Sequence, residues 1–370
     1  MSAADRQHMA RALQLARRGE GHVEPNPMVG CVLVRDGQVV GEGWHQKFGG
    51  PHAEIEALAA AGAAAHGATA FVTLEPCCHH GKTPPCTQAL IAAGVSRVVT
   101  GCNDPNPRVA GRGLAELAQA GIEISTGDAA AEARALVAPF RKLTLTGRPW
   151  VIAKWAMSLD GKIAAADGSS QWISGPESRA VVHELRGRVD AVVVGRGTAE
   201  RDDPQLTARP AGPRTAVRIV VDSRASLSLQ SKLVATAAEA PVLVAASAEA
   251  PPGRVAALRE RGVEVLTLGG KSHIDRLDEL LAELGHRQLT NVLVEGGGGL
   301  LGSLLTLQAI DEVYAFVAPK LLGGAASASP VAGVGAASID AAVALERCEA
   351  TQHGVDTLIH GRIVRNDQER

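Results

Sequence analysis

The chain has 370 residues, of which 46% are hydrophobic and 21% charged, with a formal net charge of −2. That length suggests two or three domains, each with enough apolar mass for a packed core. Aromatic residues are only 2% of the chain, which argues against the stacking surfaces of a single-strand nucleic-acid binder, and the near-neutral charge gives no basic footprint for nucleic acid.

Met1 to Glu20 carries Asp5, Arg6, Arg11, Arg17 and Arg18 among its apolar positions, so it reads as neither a signal peptide nor a membrane span. Six cysteines do not make a disulfide framework. The expectation is a cytoplasmic enzyme, where cysteine more often means metal or catalysis. Cys31, Cys102 and Cys348 read as small buried residues.

In chain order, Met9, Leu13 and Ala16 share a helical face that ends at Gly19. Val29 to Val34 and Val39 to Gly43 are strands joined at Asp36-Gly37, a hairpin signal. A helix over 52–61 opens at Pro51, a strand follows over 70–74, and Cys86 starts the next helix. A strand at 97–100, a helix at 114–120, a strand at 122–125 and a long helix over 129–145 complete a three-layer α/β pattern. Gly147-Arg148-Pro149 marks a boundary, giving domains 1–146 and 147–370. In the second half, strands are expected at 150–156, 191–195, 218–221, 242–245, 263–268 and 291–294. Helices are expected at 177–188, 274–284 and 300–307, and strands at 314–317 and 357–363 close the sheet. This alternation is again α/β.

Chemistry gathers between His52 and Cys86. One imidazole and two thiolates suit a catalytic zinc, which takes three protein ligands and keeps one position open. His52, Cys77 and Cys86 are the expected ligands. Glu54 follows His52 by two positions, as the proton-carrying glutamate does in zinc deaminases of nucleobases. Zinc lowers the pKa of water from about 15.7 to roughly 7, and a single carboxylate can move the protons that let ammonia leave. Eight residues separate Cys77 from Cys86, where the general nucleobase signature has two. A second signal is Val294-Glu295 followed by four glycines and a helix. Glycines and a helix N-terminus suit a phosphate, but the spacing is not that of a Rossmann domain.

Several stretches closely resemble the deaminase half of the bifunctional riboflavin-biosynthesis deaminase-reductases: Pro25-Asn26-Pro27-Met28-Val29-Gly30-Cys31, Gly50-Pro51-His52-Ala53-Glu54, Thr73-Leu74-Glu75-Pro76-Cys77, and His79-His80-Gly81-Lys82-Thr83-Pro84-Pro85-Cys86. Where the family usually has serine after the first zinc cysteine, this chain has Cys78; Cys77 is kept as the ligand because it follows the proline. Lys154, Ser158-Leu159-Asp160-Gly161-Lys162, Gln171-Trp172-Ile173, Asp202-Asp203-Pro204, Arg218-Ile219-Val220-Val221-Asp222-Ser223 and Val294-Glu295-Gly296-Gly297 resemble the reductase half. Together the two halves cover nearly the whole chain.

The resemblance implies a cytidine-deaminase-like three-layer α/β/α domain followed by a dihydrofolate-reductase-like α/β domain. It implies zinc-dependent deamination of a diaminopyrimidine ribosylamine phosphate, then NADPH-dependent reduction of the ribosyl chain to ribityl. Carried over by position, Ala156, Trp172, Thr198, Asp202, Ser223, Gly297, Gly298, Gly299, Leu300, Leu301, Gly302 and Ser303 would contact NADPH. Ser170, Arg186, Leu206, Arg209 and Glu295 would contact substrate, the arginines suiting its phosphate. Asn26 would read a ring edge and Lys82 would hold the phosphate in the deaminase site. Lys154 and Asp202 are candidates for polar help in the hydride step, and Arg224 beside Ser223 for the 2′-phosphate of NADPH. His45, His79 and His80 read as loop histidines. The partner set is a small phosphorylated pyrimidine, with no nucleic acid, no membrane, and a homo-oligomer. Two rivals stay open: a nucleoside or nucleic-acid deaminase with an unrelated second domain, and a structural zinc domain closed by Cys78 as fourth ligand.

Overall fold

The computed structural model describes residues 2–79, 84–107, 109–126, 129–324 and 327–364. The chain divides into two compact units, Met1–Arg148 and Pro149–Arg370.

In the first unit, α1 (Ala3–Ala16) starts in a capping box: the Ser2 hydroxyl accepts from the Asp5 N–H (3.0 Å) and the Asp5 carboxylate from the Ser2 N–H (3.2 Å). Strands β1 (Gly30–Arg35) and β2 (Gln38–Trp44) form the hairpin expected at Asp36-Gly37, whose φ values of 50° and 76° are those of a two-residue turn with both centres left-handed. Then come α2 (Ala53–Ala61), β3 (Thr69–Val72), α3 (Cys86–Ala92), β4 (Arg97–Thr100), α4 (Arg112–Gln119), β5 (Glu123–Thr126), α5 (Ala130–Leu136) and α6 (Ala138–Thr146). The sheet order is β2-β1-β3-β4-β5, antiparallel through β3 and parallel from β3 to β5. One face buries Met9, Leu15, Phe71 and Val99; the other buries Leu33, Ala57, Leu90 and Leu117. The single helix expected over 129–145 is two, meeting at Val137. Pro139 lies in the first turn of α6, where it has no N–H to continue α5.

The second unit runs β6 (Trp150–Ser158), α7 (Pro176–Arg186), β7 (Ala191–Gly195), α8 (Arg196–Asp202), β8 (Val217–Val221), α9 (Lys232–Ala235), β9 (Val242–Ser247), α10 (Pro252–Glu260), β10 (Glu264–Leu268), α11 (His273–His286), β11 (Asn291–Val294), α12 (Gly298–Thr306), β12 (Glu312–Ala318), β13 (Leu345–His353) and β14 (Asp356–Ile363). They build a nine-stranded sheet ordered β10-β9-β8-β7-β11-β6-β12-β14-β13. It is parallel from β10 to β12 and antiparallel through β14 and β13. Val, Leu, Ile and Ala fill both faces, as parallel strands covered on two sides require. The sequence reading ended the sheet at β14, but the edge strand is β13. Its residues Leu345–His353 are mostly exposed and lack apolar alternation, so periodicity does not mark them. Among the described residues no helix is long and apolar enough to cross a membrane.

Candidate active sites

In the first unit the chemistry sits where three chain ends meet. His52 is the residue before α2, Cys86 is the first residue of α3, and Cys77 lies on the path leaving β3. His52 Nδ1 is 3.3 Å from Cys86 Sγ and 3.5 Å from Cys77 Sγ, and the Cys86 N–H donates to Cys77 Sγ at 3.4 Å. All three ligand atoms lie within 4.8 Å of one another. Bonds of about 2.0–2.3 Å at tetrahedral angles put ligand atoms roughly 3.5–3.8 Å apart, so this donor set fits zinc. The thiols are close enough to compete for charge. Their mutual hydrogen bond holds Cys77 well below the ordinary thiol range and pushes Cys86 far above it. A dication held between them would let both ionise.

Glu54, on the first turn of α2, is 3% exposed. Burial, with the Cys77 charge adding to it, pushes its carboxyl up to about 7; a bound dication would draw it back down. Cys78 is only partly buried and stands outside the cluster. Asn26 Nδ2 donates to His45 Nε2 (3.1 Å), leaving His45 Nδ1 to donate to the Pro51 carbonyl (2.8 Å). Read as a loop histidine, His45 is 2% exposed and its ring stands edge-on to His52 at 5.4 Å. Glu75 also went unread. Its carboxylate accepts from the N–H groups of Asp104, Gly111, Gly113 and Leu114, tying the cysteine loop to α4. Gly113 is required there: a Cβ would lie 2.2 Å from the Pro76 carbonyl oxygen. Lys82 and His80 lie outside the described residues.

In the second unit a cavity of about 580 Å³ opens at the carboxyl ends of the parallel strands β6, β7 and β11, where ligands bind in open α/β sheets. Its lining includes the expected cofactor residues Ala156, Trp172, Thr198, Asp202, Gly297 and Gly298. The expected substrate residues Ser170, Arg186, Leu206, Arg209 and Glu295 line it too. At its floor Arg186 grips Glu295 with both arms (2.6 and 2.9 Å), and Lys154 Nζ lies 3.6 Å from the same carboxylate. Burial alone would raise Glu295, but the two cations hold it down at about 2; burial lowers Lys154. The Ser170 hydroxyl donates to Asp202 (3.0 Å), and Arg179 stacks on Trp172 at 4.6 Å, leaving the indole 62% exposed. A planar aromatic face and fixed cations suit a nucleotide and a phosphate.

Other expected cofactor residues are placed elsewhere. Gly299, Leu300, Leu301, Gly302, Ser303 and Ser223 are not in the lining. Helical rotation turns Leu300 and Leu301 into the core, and their N–H groups bond the Gly297 carbonyl. Gly302 has a packing reason, because a Cβ there would lie 1.7 Å from the Ala332 carbonyl oxygen. Ser223 and Arg224 stand exposed after β8, and the Ser223 carbonyl accepts from Ser247.

The profile of the RibD C-terminal domain matches residues 149–359, and that of the cytidine and deoxycytidylate deaminase zinc-binding region matches 2–102. The riboflavin biosynthesis protein RibD of Actinobacillus pleuropneumoniae is 42% identical over 96% of this chain and 94% of its own. That of Escherichia coli is 45% identical over 86% and 89%. The chain belongs to the RibD family. The RibD fold extends through both units. Acinetobacter baumannii RibD superimposes with a TM-score of 0.84 at 37% identity, over 98% of this chain and 99% of that one. The Thermotoga maritima diaminohydroxyphosphoribosylaminopyrimidine deaminase/5-amino-6-(5-phosphoribosylamino)uracil reductase superimposes at 0.83 and 36%, over the same shares. Like other RibD proteins this is a bifunctional enzyme of riboflavin biosynthesis, a zinc-dependent deaminase joined to an NADPH-dependent reductase. The fold pair is the one expected, cytidine-deaminase-like then dihydrofolate-reductase-like. An unrelated second domain and a purely structural zinc module are both set aside.

Proposed function

We propose that the first unit deaminates 2,5-diamino-6-(5-phosphoribosylamino)pyrimidin-4(3H)-one and the second reduces the resulting 5-amino-6-(5-phosphoribosylamino)uracil to the ribityl compound. The carrying observation is the pair of sites on one chain: Glu54 buried beside the His52, Cys77, Cys86 cluster, and a cation-rich cavity over the Lys154, Glu295, Arg186 group.

His52, Cys77 and Cys86 would hold zinc, which would supply Lewis-acid activation of water. Glu54 is assigned to take a proton from the attacking water and give it to the ring nitrogen, and then to move the remaining hydroxyl proton to the leaving amine. The 2-amino group departs as ammonia and the carbonyl oxygen comes from water. Asn26, whose amide donates to His45, is assigned to read the ring edge, and Lys82 to hold the phosphate.

NADPH, when bound, would supply the hydride of the second reaction. Trp172, Ala156, Thr198, Asp202, Gly297 and Gly298 are assigned to its binding, with Ser223 and Arg224 at the 2′-phosphate. Ser170, Leu206, Arg209, Glu295 and Arg186 are assigned to substrate. Lys154, whose Nζ lies 3.6 Å from the Glu295 carboxylate, is assigned to pass the proton that accompanies the hydride. We assign the chain to the cytoplasm, consistent with its free thiols. We also propose that it is a homo-oligomer, because Val334 and Ile339 stand in solvent on the connection into the edge strand β13; sedimentation of the purified chain checks this.

The deciding assay supplies the diaminopyrimidine phosphate and NADPH to the purified chain. Ammonia release followed by NADPH loss is expected. Ammonia release without NADPH oxidation would refute the second half of the reading.

A further inference from the structure

Arg218 is the largest fully buried side chain among the described residues, and it is no part of the cavity lining. It occupies the second position of β8, between Val192 of β7 and Val242 of β9. All its acceptors are neutral. One arm donates to the Gln205 carbonyl (3.1 Å) and the Thr236 hydroxyl (2.7 Å), the other to the carbonyls of Thr236 (2.8 Å) and Ala240 (2.5 Å). Nε has no partner, so the two terminal nitrogens make the whole attachment. A buried cation with no carboxylate hydrogen-bonded to it, Glu239 acting on it only through its charge, is a costly way to fill space, and a leucine or methionine would pack there without the desolvation penalty.

What the fork holds is the cavity wall. Residues 203–207 carry two non-glycine left-handed centres, Asp203 at φ 40° and Leu206 at φ 58°, a conformation that persists only where the surroundings over-determine it. Each anchor comes from a different element. The Asp203 carboxylate accepts from the Lys232 N–H of α9 (2.8 Å), Arg218 of β8 holds the Gln205 carbonyl, and the Thr207 carbonyl meets His183 and Arg186 of α7 (3.1 and 3.5 Å). Gln205 in turn accepts from Arg209 through its side-chain oxygen (3.0 Å). Pro204, Gln205, Leu206 and Arg209 all face the cavity.

We propose that Arg218 is a positioning residue for the reductase: from behind the wall it fixes the Gln205 carbonyl, and through Gln205 it sets both the Leu206 turn and the Arg209 guanidinium against the substrate. The inference rests on the assignment of Leu206 and Arg209 to substrate. A lysine at this position keeps the charge but has one nitrogen where the fork has two, so it cannot hold Gln205 and the 236–240 turn together.

The test compares Arg218→Lys and Thr236→Val with the wild-type full chain, whose own turnover of the uracil substrate separately tests the functional assignment. Arg218→Lys is expected to raise the reductase KM for the phosphoribosylaminouracil about tenfold with kcat little changed, the signature of lost positioning in binding. NADPH affinity, read by nucleotide fluorescence, and ammonia release by the first unit should stay at wild-type values. Amide exchange over 203–209 should quicken while β8 stays protected. An unchanged KM with unchanged exchange overturns the proposal, as does an equal loss of NADPH binding and turnover, which would make Arg218 a scaffold residue only. Should Arg218→Lys fail to fold, Thr236→Val carries the test. It removes one acceptor and is expected to raise KM in the same direction by a smaller factor; an unchanged KM there also overturns the proposal.

Discussion

Cys77 and Cys78 are adjacent thiols with different surroundings, and metal binding should tell them apart. Cys77 meets both His52 and Cys86, whereas Cys78 is outside that cluster. Cys86→Ala is expected to lose zinc and deamination together, and Cys78→Ser to keep both, with metal content read by elemental analysis. Zinc loss in Cys78→Ser would reverse the assignment. Glu54→Gln should retain the metal, since Glu54 is not part of the donor cluster. Its ammonia release should fall by roughly 10²–10⁴-fold, the usual contribution of general acid–base catalysis, while reduction of pre-deaminated substrate continues. Absence of zinc from that variant would remove Glu54 from the proton-carrier role. These residues were legible because the chain carries them in short motifs, Pro51-His52-Ala53-Glu54, Glu75-Pro76-Cys77 and Pro85-Cys86. His45 was not. Its meaning depends on Asn26 and on the Pro51 carbonyl, partners that the fold, not the local sequence, brings to it.

At the scale of elements, strand and helix interiors were readable and their ends were not, and α4 shows why. The sequence reading started it at Leu114; it starts at Arg112, after a left-handed Gly111 with no side-chain cap. Its first N–H groups are met instead by Glu75, a residue on the zinc loop. No pattern around residue 112 announces a cap supplied from so far along the chain. The same bond makes a prediction. Glu75→Gln turns a donor toward N–H groups, leaving some of them unmet at a cost of about 1–3 kcal/mol for each buried group. The loop carrying Cys77 then loosens. Zinc transfer to a chelator should be faster than in the wild-type chain, with reductase kinetics unchanged. Wild-type transfer rates would confine Glu75 to holding α4. The glycines after β11 show the opposite limit. The resemblance carried NADPH contact over the whole 297–303 run, yet Gly302 packs against Ala332, a neighbour thirty residues on.

At the scale of the whole molecule, the two-unit plan was legible because Gly147-Arg148-Pro149 interrupts both helix and strand patterns. We propose that the second unit folds without the first when it begins near Arg148. β6 lies inside its sheet, between β11 and β12, so the fragment must keep all of it. The Trp150 N–H donates to the Thr290 carbonyl, the Val151 N–H to Asp311, and the Trp150 indole to Glu312. These bonds join the first residues of β6 to β11 and β12 within the same unit. Its cores likewise draw on residues from Trp150 to Ile363. The expected result is a folded fragment from residue 148 onward that unfolds in one cooperative transition and binds NADPH with wild-type affinity. A second fragment beginning at residue 154 would lack the first four residues of β6 and leave β11 and β12 facing a gap in the sheet, so it should be insoluble. If the longer fragment is also insoluble, the second unit needs the first as a folding partner, and the boundary separates two compact regions of one cooperative structure.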